Sequence, residues 1–440
     1  MASHAAASPT AADEREWGDA NLIAFLDAVA GPRVARPGAP ARYDFSMTPG
    51  TDSDPRSGIG LCLSGGGFRA TLFHMGALRR LNELGVLSKL ETISSVSGGS
   101  ITAAALATAV ARGGPLDWDR DVVAPLRAFT SRDRRTAAVF ARLLPWNWFR
   151  SDTGVRVLER AYAAHLTPLR LTALPERPNF VLCATDMQFG VNWVFERDRA
   201  GDFQAGYVSP APANWPLALA VSASSCFPPI FNPRKLRLDP ARFTGGMYPA
   251  GHRRDGLVRG MRLTDGGDYD NLGLEPVWKS HQVVLVSDGG APFDVSEDRG
   301  LLWRVERYSA IAQNQAHAVR VRWLIGSYTS GEFGGTYWGV GSAPSSYDPS
   351  YPGYTKTLAT EVISRIRTDL DAFSDAEAAV LENHGYWLAE AALRKHAPDL
   401  VTTGAPEARA PHADWMDETK VRAALRDSSR RSIPFGRHGG

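Results

Sequence analysis

Cysteine is scarce in this chain of 440 residues: Cys62, Cys183 and Cys226 are odd in number and far apart. No disulfide framework follows from that pattern, and a reducing compartment does. None of the three has a CxxC or histidine partner at metal spacing, so neither a metal nor another cofactor is implied. Charge of one sign is also missing: 49 basic residues stand against 47 acidic ones, for a formal net charge of +2. A dedicated nucleic-acid binder usually shows a strongly basic face, so nucleic acid is excluded as the expected partner. No run of about 20 apolar residues is present to cross a bilayer. The uncharged stretch 215–232 is interrupted by Pro216, Pro228 and Pro229. Residues 1–19 have no basic segment followed by an apolar one, the mark of a secretory signal. The expectation is a cytoplasmic protein, with peripheral contact at a membrane left open.

Apolar residues make up 44% of the chain and charged residues 22%, the balance of a globular protein. The length allows two to four domains, or one large α/β unit with extensions. Residues 16–30 carry an amphipathic helical pattern, and residues 31–56 read as a Pro- and Gly-rich linker. Residues 59–63 then read as a buried strand, followed by Ser64-Gly65-Gly66-Gly67 and a helix that runs through Leu84 to Gly85, a natural C′ residue. A second strand over 90–96 turns sharply at Ser97-Gly98-Gly99 into an Ala-rich helix over 100–112. Strand–helix–strand–helix at this spacing indicates a parallel α/β sheet. Further strands are expected over 179–184, 191–195 and 281–287, and helices over 301–325, 358–373 and 374–396. Residues 326–354, rich in Gly, Ser and Tyr, read as a long loop: an active-site lid, or an ordered excursion.

Both Gly-rich turns open helices after strands. Gly65-Gly66-Gly67-Phe68-Arg69-Ala70 matches the G-x-G-x-x-A pattern of a dinucleotide loop. That reading wants an acidic residue at the end of the second strand, where this chain has Ser95-Val96-Ser97. The second turn suggests another chemistry. A serine among small residues at a strand-to-helix turn is a nucleophile elbow, and Ser97 stands in such a setting, with Ser95 in place of the usual first glycine. Acyl transfer also needs donors aimed at an oxyanion, and backbone N–H groups at helix N-termini supply them. Gly65, Gly66, Gly67 and Gly98 are the candidates, with Arg69 adding positive charge. Asp265, in Asp265-Gly266-Gly267, is a candidate base in a turn that permits close approach.

Taken in order, these elements resemble the patatin-like phospholipases, a family of acyl hydrolases with a Ser–Asp dyad. The resemblance rests on the G-G-G-x-R loop at Gly65–Arg69, the elbow at Ser97 and the D-G-G motif at Asp265. It is extended by Ala184-Thr185-Asp186, by Ala223-Ser224-Ser225-Cys226-Phe227-Pro228, and by Asn271 with Leu274-Glu275-Pro276. It covers about residues 57–290, with Ala70 and Ser95 as departures. It implies an α/β fold, a three-layer α/β/α sandwich, with helical extensions at both ends: an N-terminal helix and linker over 1–56, a catalytic domain over 57–300, and a mainly helical extension over 301–440 that packs on the catalytic domain. The implied activity is lipid acyl hydrolysis on a membrane lipid or lysolipid, with Ser97 as nucleophile, Asp265 as base and no cofactor.

Competing assignments stay open at this level. Asp288-Gly289-Gly290 is a second D-G-G at the end of a strand, without the Asn271 and Leu274 context. A Ser-His-Asp esterase using His281, His317 or His384 is formally available, although none of these sits in a Gly-flanked turn after a strand. A catalytically silent interaction module on the same fold is the alternative from another class. Residues 143–150 cluster Trp146, Trp148 and Phe149 beside Arg150, a composition suited either to a membrane interface or to a buried cap.

Overall fold

Ile59–Leu63 (β1) leads into Gly67–Glu83 (α1), and Thr92–Val96 (β2) into Gly98–Ala111 (α2), as the sequence pattern predicts. The computed structural model describes residues 56–143, 147, 152–228, 230–293, 295–298, 300–433 and 436–438. The helix expected over 16–30, nearly all of the linker over 31–56 and most of the aromatic cluster at 143–150 lie outside the described residues. After α2 come Thr153–His165 (α3), Asn179–Asp186 (β3), Val191–Phe195 (β4), Ala200–Asp202 (β5), Gly206–Val208 (β6) and Leu217–Ser224 (α4). The chain continues through Arg234–Lys235 (β7), Phe243–Thr244 (β8), Arg262–Asp265 (β9), Gly267–Asp270 (α5) and Val283–Asp288 (β10). Leu301–Ser330 (α6), Gly334–Gly339 (β11) and Asp375–His396 (α7) follow. No helix among the described residues is long and apolar enough to cross a membrane.

The strands form one mixed sheet in the order β11-β10-β1-β2-β3-β4-β5-β6-β8, with β9 pairing β3 and β7. From β11 to β3 the pairings are parallel; from β4 outward they are antiparallel. Parallel strands are covered on both faces, which explains the near-continuous apolar sequences of β1 and β10. Alternation along β1 shows the two faces directly. Leu61 and Leu63 join the larger core with residues of α1, α2 and α7. Cys62 joins Val284 and Val286 in a second core under Val321 and Leu324 of α6. The molecule is therefore a three-layer α/β/α sandwich.

Two features depart from the sequence expectation, and each has a local cause. Residues 326–354 are not one long loop. Helix α6 continues to Ser330, and Gly331 ends it in the left-handed region at φ 72°. The chain then adds β11 to the sheet edge, parallel to β10. Glycine hides that strand from pattern reading, yet Gly335 is needed there: its φ is 127°, and a β-carbon would lie 1.9 Å from the Val284 carbonyl oxygen. The helix expected over 358–373 stops early. Lys356–Leu358 and a π-helical turn at Ala359–Ile363 are all that form. Beyond them the carbonyls of Ser364 and Ile366 accept from Arg69 rather than from a helical ladder. The helix expected over 374–396 forms as α7, opened by a capping box between Ser374 and Glu377, and lies directly on α1. A β-carbon on Gly385 would fall 2.0 Å from the Phe73 carbonyl oxygen. Residues beyond 300 thus complete both the sheet and the core.

Candidate active site

Ser97 ends β2 and caps α2 with φ 49° and ψ −113°, and it is the sole described non-glycine residue at positive φ. Holding a side chain there costs on the order of 1–3 kcal/mol, which surrounding contacts must offset. Several do. The Ser97 N–H donates to Ser224 Oγ at 2.9 Å. Ser224 Oγ pairs with Ser100 Oγ at 2.8 Å, and Ser100 donates to Ser95 Oγ at 3.0 Å. Ser95, the departure from the glycine of the elbow pattern, is therefore part of a buried hydroxyl chain beneath the turn. The glycine after the serine is needed as well: a β-carbon on Gly98 would sit 2.2 Å from the Gly67 carbonyl oxygen.

Asp265 reaches Ser97 through sheet register. β3 pairs β2 up to Val96 opposite Cys183. At the next residue, Ala184, β3 pairs Asp265 of antiparallel β9. Because β4 occupies the other edge of those β3 residues, β9 lies on the same side as β2. The two strands run in from opposite directions and meet end to end, with Ser97 and Asp265 at the junction. Ser224 holds both turns, since its carbonyl accepts from Gly266 N–H at 3.2 Å while its hydroxyl holds Ser97. Ser224 was legible only as part of a family-like block; its bridging role needed coordinates.

The Asp265 carboxyl is 2% exposed. Its Oδ1 accepts from Gly267 N–H at 2.8 Å, whereas Oδ2 is buried with no hydrogen-bond partner among the described residues. Burial, followed by the charge of Asp268, pushes its pKa up to about 7, and Gly267 N–H and the Ser97 hydroxyl pull the other way. The Ser97 hydroxyl thus stands near the carboxyl without closing a hydrogen bond to it. Such contacts commonly tighten only with substrate bound.

The Gly65–Gly67 loop faces this junction. A β-carbon on Gly65 would lie 3.2 Å from Ser97 Cβ and 2.3 Å from Asn271 Oδ1. The Gly65 N–H is engaged by the Asn271 carbonyl at 2.9 Å, so it is not free to meet an oxyanion. Gly66 caps α1, and Gly67 and Gly98 open α1 and α2, positions where backbone donors have no intrahelical acceptor. Arg69 departs from the expected supporting role. Its guanidinium is 1% exposed and donates to the carbonyls of Gly289, Ser364 and Ile366 at 2.8–3.1 Å. It ties the loop after β10 and the C-terminal residues to α1.

Asp288 and the histidines take other places. Asp288 pairs with His317 at 3.2 Å and accepts from Tyr337 Oη and Gly290 N–H, both at 2.8 Å. Burial opposes its ionisation, but His317 and these donors hold its pKa below the usual carboxylate range. His281 bonds to the Val277 carbonyl and Thr92 Oγ1, at the end of the sheet away from Ser97. His384 lies under Val340, with burial lowering its pKa to about 4. His74, not singled out from sequence, bridges Ser287 Oγ and the Ser64 carbonyl behind the glycine loop, and burial likewise lowers its pKa to about 4. Among the described residues no histidine is hydrogen-bonded to Ser97 or Asp265.

A strained serine and a buried carboxylate meeting at the carboxyl ends of an α/β sheet define a serine-elbow α/β protein. The family model described as Patatin-like phospholipase matches residues 61–278. That stretch, just under half of the chain, is a patatin-like phospholipase domain. No curated protein matches the chain. Among solved structures it is similar to human GIVD cytosolic phospholipase A2, at 13% identity and a TM-score of 0.34, over 70% of this chain and 53% of that one. It is also similar to VipD from Legionella pneumophila, at 15% identity and a TM-score of 0.33, over 85% of this chain and 76% of that one. The chain spans about half the length of the human protein.

Proposed function

We propose that the protein hydrolyses carboxylic esters of membrane lipids or lysolipids through an acyl-serine intermediate, with Ser97 and Asp265 as a catalytic dyad. The observation that carries this reading is the end-to-end meeting of β2 and β9, which sets a strained serine beside a buried carboxyl with one oxygen unpartnered among the described residues. The family match supports the substrate class. Its interval contains Gly65–Gly67, Ser97 and Asp265 and ends before Asp288, which favours the first D-G-G.

Ser97 Oγ attacks the ester carbonyl carbon, and its proton passes to Asp265 Oδ2. The carbonyl π pair moves to oxygen, where the N–H groups of Gly66, Gly67 and Gly98 receive it. Collapse breaks the bond to the alkoxy oxygen, which takes the proton from Asp265 and leaves as the alcohol or lysolipid. Water then attacks the acyl-serine, giving its proton to Asp265. The second collapse releases the fatty acid and returns that proton to Ser97. Each step conserves protons between one carboxyl and one hydroxyl, so no imidazole is required. Peripheral contact with a membrane follows from the substrate class.

Labelling with a fluorophosphonate probe tests the assignment. The wild-type protein should label at Ser97 and hydrolyse a nitrophenyl ester, and Ser97→Ala should lose both while unfolding at the wild-type temperature. Removal of a serine nucleophile costs several orders of magnitude, roughly 10⁶-fold in subtilisin. An unlabelled wild type would leave the silent-module reading standing, and wild-type turnover by Ser97→Ala would move the nucleophile elsewhere.

A further inference from the structure

We propose that Gln313 is a positioning residue for Asp265: from α6 it holds the carboxylate of Asp268 beside the base without neutralising it. The proposal rests on the assignment of Asp265 as base. Gln313, His317 and Arg320 follow at intervals of four and three residues, so they share one face of α6. Each meets a different carboxylate at the site. Gln313 Nε2 donates to Asp268 Oδ1 at 2.7 Å. His317 pairs with Asp288 at 3.2 Å, and Arg320 with Asp270 at 3.5 Å, its guanidinium also 5.3 Å over the Tyr269 ring.

Two features argue that this ladder does more than dock a helix. First, α5 is a single turn of four residues, too short to hold its own position. The D-G-G turn must therefore be fixed from outside. Asp268 is gripped from two sides, by Gln313 at Oδ1 and by Thr264 Oγ1 at Oδ2, 3.0 Å away on the residue just before Asp265. Second, among described side chains none of α6 from Trp303 to Arg320 is buried; apolar burial begins at Val321 and Leu324. The polar ladder, rather than a hydrophobic seam, lays this half of the helix against the site.

The choice of residue types on the ladder is selective. Asp288 and Asp270 each receive a cationic or protonatable partner, and Asp268 receives a neutral amide. Burial raises the pKa of Asp268 and the Thr264 hydroxyl opposes that rise; the amide of Gln313 brings no positive charge to cancel that of Asp268 when it is ionised. Burial and then Asp268 are the two influences that raise Asp265. The other titratable groups near Asp265 are Tyr162 and Cys226, whose pKa values burial raises well above neutrality, so both are uncharged. The Asp288–His317 and Asp270–Arg320 pairs are internally compensated. A lysine in place of Gln313 would hold Asp268 equally well but cancel its charge.

The test combines three variants with a readout that needs no turnover, the ¹³C carboxyl titration of Asp265, assigned by its loss in Asp265→Asn. Gln313→Met should lower kcat on the order of tenfold, since displaced catalytic groups lose rate steeply, with KM within about twofold. Gln313→Lys and Asp268→Asn should move both the Asp265 titration and the acid limb of kcat/KM to lower pH, by about half a unit or more. In an Asp268→Asn background, Gln313→Met should add less than about twofold, because its effect passes through Asp268. Losses that multiply independently, or an Asp265 titration unmoved by all three variants, would overturn the proposal. A wild type that neither labels nor hydrolyses would instead defeat the functional reading, and the carboxyl titration would still decide whether Gln313 and Asp268 act on Asp265.

Discussion

Asp265 sets the pH behaviour at the scale of a single residue. A carboxyl with pKa about 7 is a poor base in acid and a competent one above neutrality. Because the base must be ionised to accept the Ser97 proton, kcat/KM should rise with pH through about 7 and level off above it. A profile that is flat from pH 5 to 8 would show that no such carboxyl is in the rate equation. Asp265→Asn keeps the shape but cannot take the proton, and should lose roughly 10²–10⁴-fold, the usual worth of a general base. His281→Ala, at the opposite end of the sheet, should retain wild-type kcat/KM when folded. Its failure at the level of Asp265→Asn would restore a histidine to the mechanism.

At the scale of the element, catalysis depends on how turns are held against one another. Ser224, the last residue of α4, joins the elbow to the D-G-G turn through its hydroxyl and its carbonyl. Ser224→Ala would strand the Ser97 N–H and disturb the hydroxyl chain through Ser100, a change of about 1–3 kcal/mol for buried donors left unmade. We expect a lower thermal midpoint together with a fall in kcat that exceeds any change in KM. The glycine loop is stricter. Gly66 has φ 140°, and a β-carbon would lie 2.6 Å from the Gly289 carbonyl oxygen. Gly66→Val should therefore cut kcat on the order of 10²–10³-fold, the range for loss of one oxyanion donor, while probe binding measured by competition changes much less.

Across the whole molecule, stability is tied to pH by a second group of carboxyls, the pair Asp186 and Asp202. Asp186 on β3 and Asp202 on β5 are both 0% exposed, and one oxygen of each has no partner among the described residues. Burial, and then the neighbouring Asp202, raise Asp186 to about 8, and burial raises Asp202. A carboxyl raised on folding binds its proton more tightly in the native state, so its contribution is full below about pH 4 and is lost as pH rises through about 8. Asp202→Asn should raise the melting temperature at pH 8–9 and change it little at pH 4–5. Equal shifts at both pH values would exclude a shared proton. The α1–α7 crossing is the other global constraint. Replacing Gly385 by Val would drive a side chain into the Phe73 carbonyl, and such overpacking destabilises by about 1–3 kcal/mol or more.

Local backbone chemistry made much of this protein legible from sequence alone. Gly85 as a helix stop, the apolar runs of β1 and β10, the helix over 374–396 and the three Gly-flanked turns each depend on residues a few positions apart, so near-neighbour rules suffice. Those rules marked Ser97, Asp265 and Gly66 as candidates. They could not show that Gly65 spends its N–H on Asn271 or that Arg69 clamps carbonyls from residues 289, 364 and 366. Nor could they place β11 in the sheet, or find Ser224, Asp268 and Gln313 at the site. These are contacts between segments far apart in the chain. Their partners are chosen by strand register and helix packing, which depend on the folded geometry of every element at once. The meeting of β2 with β9 is the clearest case: both turns can be read separately, but only pairing along β3 brings the serine to the carboxylate.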